Sequence, residues 1–203
     1  MKSLDLHAQR LAAVDNALQM ADAKSMLDLG CGSGPLLRRL ALGGRIRRIV
    51  GVDTSSHQLR LLSQWLAQSQ VPETVEIELV NASVTEIRAD WSGFDAAVLI
   101  ELIEHLAPDR LSRIEKTVFG HARPRTVIVT TPNRDCNALL GVPARRLRHS
   151  DHKFEWSREK FGGWSTGVAR RNGYEIRLHG IGVEHPGAGA PTQMAVFTRR
   201  TPA

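Results

Sequence analysis

The feature that most limits what this chain can fold into is a short apolar run that stops at a cluster of glycines. Residues 25–29 read as a buried strand, and Gly30-Cys31-Gly32-Ser33-Gly34 follows at once. A helix with Leu36, Leu37 and Leu40 on one face comes next. Strand, glycine turn and helix make the first unit of a doubly wound α/β fold. Glycine lets the backbone turn sharply there and approach a ligand closely.

The rest of the chain keeps that rhythm. Further strands are predicted over 46–52, 75–80, 94–100, 126–130, 174–180 and 194–198. The run at 94–100 is wholly apolar after Asp95, which predicts a central strand covered on both faces. Ser55 is the expected N-cap of a helix, with Gln58 as its capping-box partner. Pro108 and Asp109 open another helix through Leu111, Ile114 and Val118. Ser157 caps a last helix that Gly173 ends. An amphipathic helix carrying Leu4, Leu11, Val14 and Leu18 packs on this body from the amino-terminal side. The expected architecture is a doubly wound α/β fold with a mostly parallel seven-stranded sheet. It forms one domain over 1–203, with a polar, basic, irregular insert at 133–156 after the fifth strand.

Two groups of residues carry chemistry. The first surrounds the glycine turn. Gly30, Gly32 and Gly34 are spaced G-x-G-x-G, which suits a pyrophosphate cradle less well than G-x-G-x-x-G. Asp28 precedes the turn, where a carboxylate can meet a cofactor's positive amino group. Asp53 ends the second strand, where it can accept both ribose hydroxyls, and Ser83 follows the third, in reach of an adenine. These details favour S-adenosylmethionine as cofactor; Asp53 alone would serve NAD as well.

The second group is Glu101, Glu104 and His105, directly after the fourth strand. Read as the start of a helix, positions i, i+3 and i+4 share a face. Two carboxylates and an imidazole packed together call for a cation between them. The insert offers His149 and His152 on the same edge of the sheet, and one of them can complete the set. Oxygen and nitrogen ligands without thiolate suit Mn²⁺, Co²⁺ or Mg²⁺ better than a structural zinc.

The bulk numbers bound the setting. An apolar content of 42% and a charged content of 24% are those of a globular domain. No run of eighteen apolar residues is present, which argues against a membrane span. The amino terminus carries charge with no apolar core behind it, so a cytoplasmic chain is expected. Cys31 and Cys136 are far apart, so neither a metal-type pair nor a disulfide is expected. The net charge is +6, and arginine supplies all but five of the 27 basic residues. Arginine's fork suits phosphate. Arg134, Arg145, Arg146, Arg148 and Lys153 lie around the histidines of the insert, and are candidates for gripping an anionic partner.

With these motifs together, the chain resembles the S-adenosylmethionine-dependent RNA 2'-O-methyltransferases that modify the 3'-terminal ribose of small RNAs. The resemblance is carried by residues 28–34, Glu101-Leu-Ile-Glu-His105, Thr131-Pro-Asn133, Asp151-His-Lys-Phe-Glu-Trp156 and Pro191-Thr-Gln-Met-Ala-Val-Phe197. Ser33, the stretch after Ser83 and Cys136 depart from the family's usual residues. The resemblance implies a Rossmann-like methyltransferase fold. It implies a divalent-metal site on Glu101, Glu104, His105 and His152, and cofactor contacts at Asp53 and Ser83. It implies an RNA 3' end as substrate, with Asn133 joining the basic residues in binding it. It also admits an RNA-repair kinase–phosphatase–ligase partner, beside which bacterial members of the family act, although those members resemble this chain only in their carboxyl-terminal part. Two rivals remain at this level: a metal-independent methyltransferase of small molecules, and an RNA-binding protein without activity.

Overall fold

The computed structural model describes residues 3–201, with side chains from residue 6 onward. Its frame is a seven-stranded sheet in the order β3-β2-β1-β4-β5-β7-β6. The strands are β1 (Ser25–Leu29), β2 (Arg48–Asp53), β3 (Glu76–Asn81), β4 (Ala96–Ile100), β5 (Thr126–Pro132), β6 (Tyr174–Ile181) and β7 (Thr192–Arg199). The first five run parallel, and β7 is antiparallel to both β5 and β6. As predicted, β4 is the central strand. The strand order reverses between β1 and β4. In open α/β sheets the crevice at such a switch point, beyond the carboxyl ends of the strands, is where ligands bind.

Side-chain alternation along the strands builds a core on each face. On one face Met26, Ile49, Val98 and Ile128 meet α1 (Ser3–Met20), α2 (Pro35–Gly43) and α3 (Ser56–Ala67) through Val14, Leu18, Leu37 and Leu62. On the other, Leu27, Leu99, Val129 and Phe197 meet α4 (Leu111–Ile114) and α5 (Arg158–Asn172) through Ile114, Phe161 and Val168. Leu4, part of the expected apolar stripe of α1, lies outside the described side chains. Ser55 caps α3 by accepting from the Gln58 amide, Ser157 caps α5 by accepting from that of Lys160, and Gly173 ends α5 at φ 75°. The helix predicted from Pro108 is a composite. A 3₁₀ turn leads into α4, which widens into π-helical turns over Glu115–Ala122. Strand β5 runs two residues beyond its predicted end, because β7 pairs with it as far as Pro132 and Thr192.

One polar group violates the pattern. Asp28 sits inside β1 at 3% exposure. Burial pushes its carboxyl up from 3.8 to about 7, and the nearby charge of Asp53 adds to the shift. The folded chain therefore holds this proton to a higher pH than the unfolded chain does. Stability is lost as pH rises from about 4 through 7 and is flat above that. Replacing Asp28 by Asn removes the penalty. In denaturant titrations of the ligand-free protein, Asp28→Asn should match wild type near pH 4 and be the more stable at pH 8, by at most about 4 kcal/mol. An advantage independent of pH would show that folding leaves the carboxyl's pKa unshifted.

Candidate active site

The loops after β1 and β4 leave from neighbouring strands, so the two sequence motifs are brought together by strand pairing. After β1, Gly30 donates its N–H to Val52 at 2.8 Å and turns with φ 77°. A methyl group on Gly30 would come within 2.6 Å of the Leu102 side chain, so the glycine loop and the β4 loop interlock there. Gly32, at φ 54°, is different: a side chain there would meet nothing within 4 Å. Its N–H points at Asp53 Oδ2 at 2.8 Å, and Asp53 Oδ1 accepts from the Ser55 amide at the same distance. Asp53 is thus held rigidly at the loop, with lone pairs left on both oxygens. Open space at Gly32 and the aimed Asp53 thus lie together at the switch point, with Asp28 buried in the strand just before the loop. Ser83 spends its hydroxyl locally, 2.8 Å from that of Thr85 and accepting from the Thr85 amide.

The acidic motif is not built as expected. Only Ile103–His105 forms a helical turn, and it is a single 3₁₀ turn. Glu101 lies outside it with a left-handed backbone at φ 48°. Its N–H still belongs to the sheet, bonded to the Thr130 carbonyl and hydroxyl at 3.1 Å. That sheet bond keeps Glu101 from entering a helix, so the shared helical face expected for the three residues does not form, and Glu101 stands outside the group that Glu104 and His105 make with His152. The Glu101 carboxylate accepts from Thr130 Oγ1 at 3.1 Å and pairs with Arg10 Nη2 at 3.0 Å.

Glu104, His105 and His152 do converge. One ligand atom of each lies within 4.8 Å of the others. Glu104 is fully buried; Thr131 Oγ1 donates to its Oε2 at 2.9 Å, while its Oε1 is buried with no partner. Burial, and then the charge of Glu101, push the Glu104 carboxyl well above the ordinary range. Glu101 is pushed up by burial and held back by Arg10. His105 is pushed down by burial and by the neighbouring His152 and His149. The insert is tied to the motif by its backbone, as the Lys153 amide donates to the Glu104 carbonyl at 2.7 Å. His149 stands further out, its ring centre 6.3 Å from that of His105 against 4.8 Å for His152, and its side chain is 61% exposed. Of the two histidines the sequence left open, His152 is the one that lies with Glu104 and His105.

Glu155 was missed as a functional residue, although it stands in the quoted motif three residues after His152. Its Oε1 lies 2.6 Å from His152 Nδ1, which leaves Nε2 free for the cluster. A carboxylate behind a ligand histidine fixes its tautomer and ring orientation. Burial acts to raise the Glu155 carboxyl, but bonds from Asn137, His152 and the Arg148 amide outweigh it and hold the group low. Arg10 was also missed, and no local pattern marks it.

The basic insert divides in two. Arg134, Arg145, Arg146 and Lys153 are exposed and, with Phe154 and Lys160, line a cavity of about 550 Å³ beside the cluster. Arg148 and Asn133 turn inward instead, a correction to their expected role as RNA contacts. The Arg148 guanidinium donates to Asn137 Oδ1, to the Pro191 carbonyl and to the Asn133 carbonyl. Asn133 is fully buried, and its amide donates to the Ala188 and Ala190 carbonyls, both at 2.8 Å. Irregular backbone crossing the top of a sheet must find internal hydrogen-bond partners, and these two side chains supply them. Trp156 is buried too, stacked on Phe154 with ring centres 4.5 Å apart.

Comparison with known proteins agrees with this arrangement. Residues 26–125 match the family described as Methyltransferase domain. A small RNA 2'-O-methyltransferase of Mus musculus is 37% identical, over 96% of this chain and 51% of its own length. The crystal structure of the methyltransferase domain of bacterial CtHen1-C superposes with a TM-score of 0.86 at 41% identity, covering 97% of this chain and 100% of that one. The small RNA methyltransferase HEN1 superposes with a TM-score of 0.88 at 30% identity, covering 96% of this chain and 26% of that one. The chain thus spans about half the length of the mouse relative. Glycine loop, acidic motif and basic insert recur together on one sheet that aligns from end to end with a bacterial methyltransferase domain, and the chain belongs to the small RNA 2'-O-methyltransferase family.

Proposed function

We propose that this chain, acting as one methyltransferase domain over 1–203, transfers a methyl group from S-adenosylmethionine to the 2'-hydroxyl of the 3'-terminal ribose of RNA, at a divalent-metal site. The observation that carries the reading is the bare, buried Oε1 of Glu104, facing two imidazoles at the carboxyl end of β4. A buried carboxylate oxygen without a donor is costly, and a cation between it and the histidines removes that cost. The donors are carboxylate and imidazole with no thiolate, which fits Mn²⁺, Co²⁺ or Mg²⁺. Glu104, His105 and His152 would hold the metal, with Glu101 beside them.

Bound there, a divalent cation would polarise the ribose oxygens and ease loss of the 2'-proton, as Zn²⁺ lowers the pKa of bound water to about 7. The chain's own residues do the rest. Glu155 keeps the His152 ring aimed. Thr131 holds one oxygen of Glu104 and leaves the other free. Asp53 and the open backbone at Gly32 seat the cofactor's nucleoside, with Asp28 toward its amino group and Ser83 near its base. Arg134, Arg145, Arg146 and Lys153 grip phosphates on the 5' side. A ribose with both hydroxyls free occurs only at the 3' end of an RNA, which is why that nucleotide is named. An RNA-repair kinase–phosphatase–ligase partner, expected from the family resemblance, would decide which broken RNA arrives and would leave this chemistry unchanged.

Labelled methyl transfer to a short RNA, with Mn²⁺ and with EDTA, tests the reading. Transfer should need the metal and map to the terminal 2'-oxygen. It should fail on 2'-deoxy, 3'-deoxy and 3'-phosphorylated ends. Glu104→Gln keeps the shape and the Thr131 bond but removes the charge, and should lose at least the 10–100-fold typical of lesions one shell further out. Transfer to RNA that survives EDTA would overturn the metal site, and absence of transfer to RNA under either condition would favour a small-molecule methyltransferase instead. Separately, Arg146→Gln should weaken RNA binding alike for all sequences and reduce the slope of log K against log salt by about 0.7. An unchanged slope would remove Arg146 from the phosphate contacts.

A further inference from the structure

We infer that Arg10 of α1 is the positioning residue for Glu101, and that α1 reaches over the top of the sheet to complete the metal centre. The inference rests on the metal reading proposed above. Elsewhere α1 is a packing helix that buries Val14 and Leu18 against the sheet. Arg10 breaks that pattern, with a charged side chain only 13% exposed. Its Nη2 lies 3.0 Å from Glu101 Oε2 and 3.3 Å from Thr192 Oγ1, and its Nε is buried with no partner. A guanidinium buried this incompletely is not a contribution to core stability. Its evident partner is the Glu101 carboxylate.

Glu101 needs such a partner. A left-handed backbone at a residue other than glycine persists only where its surroundings over-determine it. Here the Thr130 carbonyl and hydroxyl fix the main chain, and that hydroxyl also donates to Oε1. Those contacts come from the adjacent strand. Among the described residues, the remaining carboxylate oxygen is bonded by Arg10 of α1. With one donor on each oxygen, Glu101 keeps a lone pair on each for a cation. Arg10 is thus placed to fix which way those lone pairs face. Two effects oppose each other. As a like charge, Arg10 would repel the metal; as a clamp, it orders a ligand. Its charge is already matched by the carboxylate it holds, so the ordering effect wins.

Mn²⁺ affinity measured directly, by calorimetry or electron paramagnetic resonance, tests the assignment without reference to turnover. Arg10→Met keeps the helix and the apolar stem. It should weaken Mn²⁺ binding by about 10–100-fold with an unchanged circular dichroism spectrum, and Arg10→Lys should recover part of the loss. On a Glu101→Gln background, Arg10→Met should cost nothing more. Should Arg10→Met fail to fold, Thr192→Val removes the hydroxyl at the other edge of the same guanidinium and should weaken Mn²⁺ binding in the same direction. Unchanged or tighter binding by these variants, or a full loss persisting on the Glu101→Gln background, overturns the role given to Arg10. A wild-type protein that takes up no Mn²⁺ overturns the metal reading as well.

Discussion

A carboxylate sealed from water with one oxygen unbonded constrains everything at the top of this sheet. Glu104 is fully buried, Thr131 satisfies one of its oxygens, and nothing described satisfies the other. The Arg10 guanidinium, whose charge reaches Glu104, is turned to Glu101. An isolated buried charge of this kind costs several kcal/mol even after relaxation. The ligand-free chain offsets part of it by letting Glu104 hold its proton far more tightly than usual. A group kept in that condition, with imidazoles facing it, is the mark of a site prepared for a ligand rather than of a structural acid.

The insert makes that preparation durable. Polar, irregular chain over a sheet would ordinarily be loose. Here it is pinned by side chains that the sequence presents as surface residues. Arg148 ties Asn137, Pro191 and the Asn133 carbonyl together, and Glu155 joins Asn137, the Arg148 amide and His152. The network therefore runs without a break from the β7 end of the sheet to His152. Its exposed side keeps the other cations free around the cavity next to the cluster. The same segment thus supplies a rigid histidine on its inner face and a charged surface on its outer one.

What could be read from the sequence, and what could not, divides along a physical line. Strands, caps and the glycine turn depend on neighbours within a few residues, and nearly all of them were legible. So was a group of Glu104, His105 and one histidine of the insert, because their motifs follow strands whose carboxyl ends must share an edge; only the family resemblance singled out His152 over His149. The misreadings all depend on distant partners. Glu101 obeys helical spacing on paper, but a bond to Thr130 on the next strand overrides it. Asn133 and Arg148 look like surface polar residues, until the backbone carbonyls around them claim their donors. Arg10 sits 91 residues before its carboxylate partner, in a helix whose pattern signals only packing. Glu155 lay in plain view, three residues after His152, and a carboxylate next to a candidate ligand histidine is a sign that could have been used.

The remaining question is why cofactor cleft and acidic cluster should sit close enough to react. The answer lies in the pairing of β1 with β4, where Asp28 stands opposite Val98. Paired strands are about 4.8 Å apart, so the two loops leave the sheet as immediate neighbours. Gly30 then allows them to close on each other. Leu102 occupies the space that any side chain at Gly30 would need. Methyl transfer is governed by the approach of two bound atoms, and a misplacement of about 1 Å can cost on the order of 100-fold in rate. The missing Cβ at Gly30 serves the packing of the two loops as well as the turn, since a side chain there would have to displace the end of Leu102, which lies between the glycine loop and the loop that carries Glu104.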